Sequence, residues 1–600
     1  MQGERKIIWL FGGSGSGKSS VAYSTAERLR SKDHLAATFF FSRKHLSRSQ
    51  TDHVFPTIAY RIGLLHAHAK EVIIKAIKDD PELLTAEKSR REQFEKLVTD
   101  PLRALQYVWC TKRAMIFDAA DEGEGDQIND LVYMLIELLR DPSIPISSIL
   151  FTSRPLFRLG SLTRNNGIES MFISLRIEDF EATHDIEVFL CDSLRRIYED
   201  RELQFMHPQP WPPPNLIASL LNRIRGQFIV AATICRLIRD ATDPIECLDL
   251  VSDMYTGEVE PLSLNLTGID SVYYHILSDC DTTSRIPGAK CLADITALAE
   301  TLSLSDLCRL FATRDVPKHI THLSAIVVIP SIESRDTVQV YHASLRDYLS
   351  DESRSQEFYV HPKVSHQRLV CMCLRLMKRD LRKDICGLED PSKLHSEFED
   401  FIYRREAYIS GALRYACLYW PYHLLRSECT EETRALVVYF VKKQLLFFVE
   451  ASAIIGSLHA AVNGLTDVQR AISKWKPSDD QKLALKLLYD AVRLVLQFIE
   501  PISNSALQLY ASALPMCPVI TQLSSTYRDL FKDSEVSVEY GLNNPWNYII
   551  RTFAVEDGAS IVMSPDGRRY ATVVSTAMAM SASGIPARTP STIYSRPKAM

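Results

Sequence analysis

The sequence predicts a multidomain protein that begins with an α/β domain, a parallel sheet with helices on both faces, and continues as mostly helical domains. Three observations carry this prediction. The run Ile7–Phe11 is apolar without alternation, as in a strand buried on both faces, and a glycine-rich loop and helical spacing follow it. Two more short apolar runs, near 114–118 and 147–152, indicate further strands. From Ile177 onward, apolar residues recur every three or four positions, which is typical of helices.

The loop after the first strand carries a phosphate-binding pattern. It matches G-x-x-x-x-G-K-[ST], with Lys18 expected on the β- and γ-phosphates of a nucleotide and the Ser19 hydroxyl expected on Mg²⁺. Small residues allow the loop amides to face an anion. The candidate binding residues are therefore Gly12, Gly13, Ser14, Gly15, Ser16, Gly17, Lys18, Ser19 and Ser20. A chance Gly/Ser turn is the alternative, and the order strand, loop, helix disfavours it.

A second predicted strand ends in carboxylates. In AMIFDAADE, Asp118 closes the apolar run and is predicted to hold the metal ion. Asp121 and Glu122 are predicted jointly to position and deprotonate the attacking water, and the sequence does not separate their roles. The alternative is a solvated acidic turn, because Glu124 and Asp126 extend the acidic run.

The next apolar strand ends in a polar group and an arginine. Thr152, Ser153 and Arg154 precede Pro155, a position that suits a sensor of the γ-phosphate, with Arg154 as its charge. A surface arginine after a strand fits the same residues equally well.

These motifs together resemble a known family. The pattern Asp118, Ala119, Ala120, Asp121, Glu122 is similar to the signature of NACHT domains, nucleotide-switch ATPases of animal, plant and fungal immunity. Four further stretches resemble the fungal branch of this family: ATFFFSR (37–43), FTSRP (151–155), RGQFIVAAT (225–233) and VYHASLRDYLSD (340–351). The resemblance covers most of the chain from Ile7 to about Val360.

The resemblance implies five regions. They are a NACHT nucleotide-binding domain at 1–168, a small helical domain at 169–262, a winged-helix domain at 263–360, an all-helical linker domain at 361–541, and a remnant of one WD-repeat blade with a disordered tail at 542–600. In the blade remnant, Ser564-Pro565-Asp566-Gly567 is the expected turn. One repeat cannot close a propeller, which needs several blades.

One further site residue follows from the resemblance alone. His342 matches the histidine of the family's H-x-x-[FL] motif, which implies a contact with the β-phosphate of bound ADP. Taken alone, a histidine at a strand end is usually structural. Where relatives have a glycine-x-proline element at the adenine, this chain has Gly226, Gln227 and Phe228.

The amino-acid composition indicates which classes of partner and which surroundings are expected. Apolar residues make up 46% and charged residues 24% of the 600 residues, as in ordinary globular protein, and the net charge of −5 implies no nucleic-acid partner. The 13 cysteines include no C-x-x-C pair and suit burial in a reducing cytosol. The most apolar stretch, 435–462, is interrupted by Lys442, Lys443 and Glu450, so buried helices rather than a membrane span are expected.

The expected function is a cytoplasmic molecular switch that binds ATP or ADP with Mg²⁺ and hydrolyses ATP slowly. The expected partners are other proteins, with assembly into a homo-oligomer on activation. Only six residues precede the first strand, so the main alternative is a non-switching scaffold or gene fragment that binds no nucleotide. A metabolic P-loop kinase or ATPase is less favoured, because no acceptor pocket or basic groove is visible. A GTPase is weaker still, because the N-K-x-D motif is missing from the sequence.

Overall fold

The computed structural model describes residues 6–42, 51–84, 88–109, 111–123, 125–155, 169–205, 211–224, 226–256, 268–279, 282–530, 546, 559–563, 569–574 and 593–597. The chain divides into two compact units. Unit 1 comprises Met1–Val188, Gly226–Ile229 and Phe553–Met600, and unit 2 comprises Phe189–Arg225 and Val230–Thr552.

Unit 1 contains a five-stranded parallel sheet. Its strands are β1 (Lys6–Phe11), β2 (Leu35–Phe40), β3 (Arg113–Asp118), β4 (Ile146–Ser153) and β5 (Phe172–Arg176). Their order is β2-β3-β4-β1-β5, so β4 lies between β1 and β3. All six residues of β3 are buried, as expected for a strand covered on both faces. Because parallel strands end on the same edge of a sheet, the carboxyl ends of β1, β3 and β4 are neighbours.

Helices cover both faces of this sheet, which confirms the predicted α/β architecture. The α-helices of this part of the chain are Lys18–Ser31, Val54–Leu65, Ala67–Asp79, Arg90–Phe94, Asp100–Ala104 and Gly125–Arg140, with a π-helical turn at Glu95–Thr99 and 3₁₀ turns at Thr51–His53, Pro81–Leu84, Ala120–Glu122, Glu169–Met171 and Ile177–Asp179. On one face, Ala22 and Ala26 pack against Ile116. On the other, a larger core includes Phe117 and Phe151, whose rings stack with centroids 5.0 Å apart.

The helix predicted from Ile177 begins later. The chain is extended through Arg176, because β5 pairs with β1 up to the register Phe11↔Arg176. A 3₁₀ turn, Ile177–Asp179, follows, and the helix spans Thr183–Asp200. The helix therefore begins at Thr183 rather than at Ile177, after β5 and the turn that follows it.

Unit 2 is mainly helical, and the predicted helical region after the α/β domain is confirmed. Its α-helices after the Thr183–Asp200 helix are Pro214–Ile224, Phe228–Asp240, Pro244–Thr256, Gly268–Ser278, Thr282–Thr296, Leu304–Leu310, Val316–Ile320, Ser344–Leu349, Glu352–Ser355, Pro362–Asp380, Phe401–Tyr408, Gly411–Arg426, Glu431–Lys443, Leu445–Ile455, Leu458–Ser473, Asp479–Gln497, Ile499–Asn504 and Gln522–Tyr527, with 3₁₀ turns at Leu203–Phe205, Thr321–Leu323, Gln356–Phe358, His395–Glu397 and Arg528–Leu530 and a π-helical turn at Leu509–Ala513. The Phe228–Asp240 helix starts within unit 1.

Among the described residues, the 263–360 region contains two short strands. They are β6 (Val327–Val328) and β7 (Gln339–Val340), which pair antiparallel. The winged-helix assignment itself stays a prediction.

Near the end of the chain lies a three-stranded antiparallel sheet. Its strands are β8 (Ala559–Met563), β9 (Arg569–Val574) and β10 (Ile593–Pro597), in the order β10-β9-β8. The expected turn at Ser564–Gly567 lies outside the described residues. The stretch predicted to be disordered contains β10, whose Ile593 and Tyr594 favour a strand.

The apolar stretch 435–462 forms parts of three successive helices rather than one long helix. Within the described part of the chain, no helix combines the length and the apolar character needed to cross a membrane.

Candidate functional site

The glycine-rich loop joins the end of β1 to the helix that starts at Lys18. Gly15 and Gly17 have φ values of +74° and +97°, a backbone region that side chains disfavour, so the loop needs glycine at both positions. The Ser14 hydroxyl is buried and has no hydrogen-bond partner among the described residues. An unsatisfied hydroxyl inside this loop suits a polar ligand, because buried polar groups are otherwise paired.

Lys18 folds back over the loop. Its Nζ donates to the carbonyl oxygens of Gly12 at 2.9 Å and Gly13 at 2.5 Å. Burial lowers the pKa of the Lys18 ammonium, and the nearby carboxylate of Asp121 offsets part of this effect. The ammonium is therefore held at the mouth of the loop, where a nucleotide phosphate would bind.

Asp118 lies at the tip of β3 and is 4% exposed. The Thr152 hydroxyl donates to its Oδ1 at 2.5 Å, and Ser19 also hydrogen-bonds to this carboxylate. Burial raises the pKa of Asp118, while these two hydrogen bonds and the Lys18 charge oppose the rise. A carboxylate beside a serine hydroxyl is a set of hard oxygen donors that fits Mg²⁺.

The turn after Asp118 places Asp121, another of the predicted acids, beside Arg154. Ala119 adopts a left-handed conformation (φ 55°, ψ 45°), and its amide donates to the Thr152 hydroxyl at 2.9 Å. Asp121 accepts from the Arg154 amide at 3.1 Å and forms an ion pair with the Arg154 guanidinium at 3.3 Å. Glu122 is the last residue of the same 3₁₀ turn. Asp118, Asp121 and Arg154 thus lie together at the ends of the adjacent strands β3 and β4.

Two contacts on the loop were not predicted from the sequence. Glu178, in the turn after β5, accepts the Gly13 amide at 2.5 Å. Ile229 donates its amide to the Gly15 carbonyl at 3.3 Å, and a Cβ at Gly15 would overlap the Ile229 side chain. No local pattern marks either residue, since both contacts join segments far apart in the sequence.

Phe228 also lies at the loop. Its ring is 3.5 Å from where a Cβ of Gly17 would stand. Gly226 has a φ of +76° and lies between the helices Pro214–Ile224 and Phe228–Asp240.

His342 belongs to unit 2. Its Nδ1 accepts the Ser344 amide at 3.1 Å and lies 2.8 Å from the Ser344 hydroxyl, which is 2.9 Å from the Tyr273 hydroxyl. Because Nδ1 accepts a hydrogen bond, the neutral ring carries its proton on Nε2. The structure describes His342 and the loop in different units, so the predicted ADP contact stays a prediction.

Comparisons with known proteins bear on the first part of the chain. The family model described as Nephrocystin 3, N-terminal, matches residues 1–154 of the 600. A structure of Drosophila ORC bound to AT-rich DNA and Cdc6 is 11% identical over 78% of this chain and 67% of that chain, with a TM-score of 0.20. A structure of Drosophila ORC bound to DNA is 10% identical over 88% and 74%, with a TM-score of 0.19. TM-scores this low do not establish a common fold.

No curated protein matches the chain. What the family match and the described sheet support together is a P-loop NTPase-like α/β fold, followed in the same chain by a helical region.

Proposed function

We propose that this protein is an ATP/ADP-binding molecular switch of the NACHT type that hydrolyses ATP slowly. The observation that carries the proposal is the convergence of Lys18, Ser19 and Asp118 at the carboxyl edge of the parallel sheet. Ligands of open α/β sheets bind at this edge. The buried, unpaired Ser14 hydroxyl is a second sign that the loop accommodates a polar ligand.

The chain's own residues divide the chemistry. Lys18 and the amides of residues 12–20 hold phosphate oxygens, while Ser19 and Asp118 hold Mg²⁺. Bound Mg²⁺·ATP supplies the transferable γ-phosphate. Because Asp121 already pairs with Arg154, we assign it to positioning that guanidinium toward the γ-phosphate. Glu122, the neighbouring acid, is then the group assigned to accept a proton from the attacking water.

The switch itself rests on the family resemblance. In the ADP-bound form, the Nε2–H of His342 would donate to the β-phosphate and hold a closed conformation. Exchange for ATP would favour an open form, because a ligand shifts an equilibrium only through its different affinity for the two states. We place the protein in fungal signalling or non-self recognition, with protein partners and assembly into a homo-oligomer on activation. The sheet β8–β10 would be the WD-blade remnant.

One observation favours the alternative of a scaffold without nucleotide. Lys18 is satisfied by its own loop carbonyls, and the Gly13 amide is occupied by Glu178. A loop whose donors are already paired gains less from a phosphate than an open one.

The test is mass-spectrometric identification of the nucleotide retained by the purified protein, with a titration of Mg²⁺·ATP and Mg²⁺·ADP. Lys18→Ala removes the phosphate-binding ammonium and should weaken binding about 100-fold, since charge-assisted hydrogen bonds contribute roughly 1.5–3 kcal/mol each. Lys32→Ala, an exposed lysine at the end of the same helix, is the matched control and should bind normally. Wild-type protein that neither retains nor binds nucleotide would favour the scaffold.

A further inference from the structure

The strongest unexplained feature is a carboxylate that lies on the phosphate-binding loop. Glu178 Oε1 accepts the Gly13 amide at 2.5 Å, which is a backbone donor inside the glycine-rich loop. The Lys18 ammonium donates to the Gly13 carbonyl, so the same residue of the loop is held by both groups. A carboxylate and a phosphate oxygen are both anions that bind backbone amides of such a loop. Glu178 therefore satisfies the loop with a group that resembles part of its expected ligand.

Neighbouring residues hold the carboxylate in place. Arg176 Nε lies 3.3 Å from Glu178 Oε2, so one oxygen faces the loop and the other faces a guanidinium. Ile177 lies against the loop as well, because a Cβ at Gly12 would overlap its Cγ2. These residues follow β5 directly, and β5 pairs with β1, the strand that leads into the loop. The sheet register thus fixes the approach of Glu178 to Gly13.

The electrostatics agree with an anion that belongs in the loop. Burial would raise the pKa of Glu178, but hydrogen bonds from the Gly13 amide and from Arg176 hold it below its ordinary value. The carboxylate is therefore charged at neutral pH. Its charge attracts Lys18 and would repel the phosphates of a nucleotide at close range.

The contact is also reversible in physical terms. The Glu178 side chain is 38% exposed, so it can rotate into water without opening the core. The simpler interpretation is a structural turn, in which the glutamate only accepts the hydrogen bond of one loop amide. That interpretation and a regulatory one differ in what they predict for nucleotide affinity, since only an anion that competes for the loop would weaken binding.

We propose that the turn Ile177–Asp179 is an autoinhibitory clasp, in which Glu178 competes with the phosphates of a nucleotide for the loop. This inference rests on the proposed nucleotide binding and adds its regulation. In the clasped form the Gly13 amide and Lys18 are paired internally. Nucleotide binding releases Glu178 and frees Arg176 from its carboxylate partner. Any movement of β5 or of the segment after it changes the nucleotide affinity of the loop.

The experiment measures the Kd of mant-ADP and mant-ATP with Mg²⁺ for the full chain and for Glu178→Gln and Glu178→Ala. Glu178→Gln keeps an acceptor oxygen but removes the charge, whereas Glu178→Ala removes both. Both variants should bind about tenfold more tightly than the wild type, a factor that corresponds to the loss of one charge-assisted hydrogen bond. The gain should be larger for mant-ATP, which carries more negative charge. Glu181→Gln removes an exposed charge three residues along the chain and should leave both Kd values unchanged.

The outcomes separate this inference from the proposed function. Tighter binding in both Glu178 variants, or binding by them alone, supports the clasp. Unchanged or weaker binding in them, together with normal wild-type binding that Lys18→Ala abolishes, overturns the clasp and leaves the nucleotide site standing. Binding that is undetectable in every protein, including both Glu178 variants, overturns the nucleotide site and the clasp with it.

Discussion

Both units bury charged and polar groups, but they arrange them differently. In unit 1, Lys18, Asp118 and Asp121 come together around one glycine-rich loop at the carboxyl edge of the sheet. In unit 2 the buried polar groups are scattered, and several of them are paired inside the helical core. They are the pairs Asp270–Arg354, Asp294–Arg368 and Glu450–Tyr510 and the chain His366–His423–Tyr415.

The difference shows what marks a candidate site in this chain. Shifted pKa values occur in both units, because burial alone produces them. What distinguishes unit 1 is the convergence of Lys18, Asp118 and Asp121 at one sheet edge, because buried side-chain atoms without a hydrogen-bond partner occur in both units. We therefore expect substitutions in the polar groups of unit 2 to change stability, and those in unit 1 to change binding. The following predictions test that division.

The largest expected effect on stability is that of Glu450→Ala. Glu450 is fully buried and accepts hydrogen bonds from the Tyr510 hydroxyl at 2.6 Å and from the amides of Asp384 and Ile385 at 3.1 and 2.9 Å. Removal of the carboxyl leaves three donors unpaired, two of them buried, and should lower the free energy of unfolding by about 4 kcal/mol. Urea unfolding of the full chain measures this change.

Glu399→Ala is the control for this prediction, because Glu399 is exposed and lies outside the helices of unit 2. Its effect should stay within about 0.5 kcal/mol. Nucleotide binding by Glu450→Ala should equal that of the wild type. A loss of binding without a loss of stability would place Glu450 in a functional site and break the division between the units.

The second prediction concerns pH. Burial lowers the pKa of His366 to about 4 and that of His423 well below 6.5, and the nearby Arg426 lowers both further. Between pH 6.5 and 4 the unfolded chain therefore binds more protons than the folded chain, so stability falls as the pH falls. The slope is about 1.4 kcal/mol per pH unit for each histidine. Arg346, which also faces His366, adds to the cost of a charged ring.

His366→Gln should reduce this acid slope by about one proton, measured as the urea midpoint between pH 6.5 and 5. Glu450 acts in the opposite sense. Burial raises its pKa to about 7, so the folded chain binds more protons between pH 4.5 and 7 and stability falls as the pH rises. Glu450→Gln should therefore steepen the net loss toward acid. An unchanged slope in His366→Gln would mean that this histidine is charged in the folded protein.

Local patterns were enough to predict part of the candidate site. The loop and Asp118 are each encoded within a few residues, as an apolar run followed by glycines or by acids. The contacts of Glu178 and Ile229 with the loop could not be predicted, because they depend on β5 lying beside β1 and on a helix start returning to Gly15. The hydrogen-bonded side chains His366, His423 and Tyr415 of unit 2 could not be predicted either, since His366 and His423 are 57 residues apart in the sequence.

The smallest expected effects on stability are those of alanine substitutions at two glycines with similar backbone conformations. Gly15 has a φ of +74° and Gly456 a φ of +79°, so alanine strains both. At Gly456, the end of a helix in unit 2, a Cβ meets nothing within 4 Å, and Gly456→Ala should cost about 1 kcal/mol of stability. At Gly15 the Cβ would overlap Ile229, so Gly15→Ala should cost about 2 kcal/mol, because the neighbour must move as well.

A double-mutant cycle separates strain from overlap in the Gly15 variant. In an Ile229→Ala background the overlapping side chain is absent, so Gly15→Ala should there cost only the strain of about 1 kcal/mol that Gly456→Ala shows. Urea unfolding of the four proteins gives the coupling. A cost of Gly15→Ala that is the same in both backgrounds would mean that the 226–229 segment does not pack on the loop. Coupling near 1 kcal/mol would instead show that this glycine is needed for close approach of another segment, whereas Gly456 is needed only for its backbone conformation.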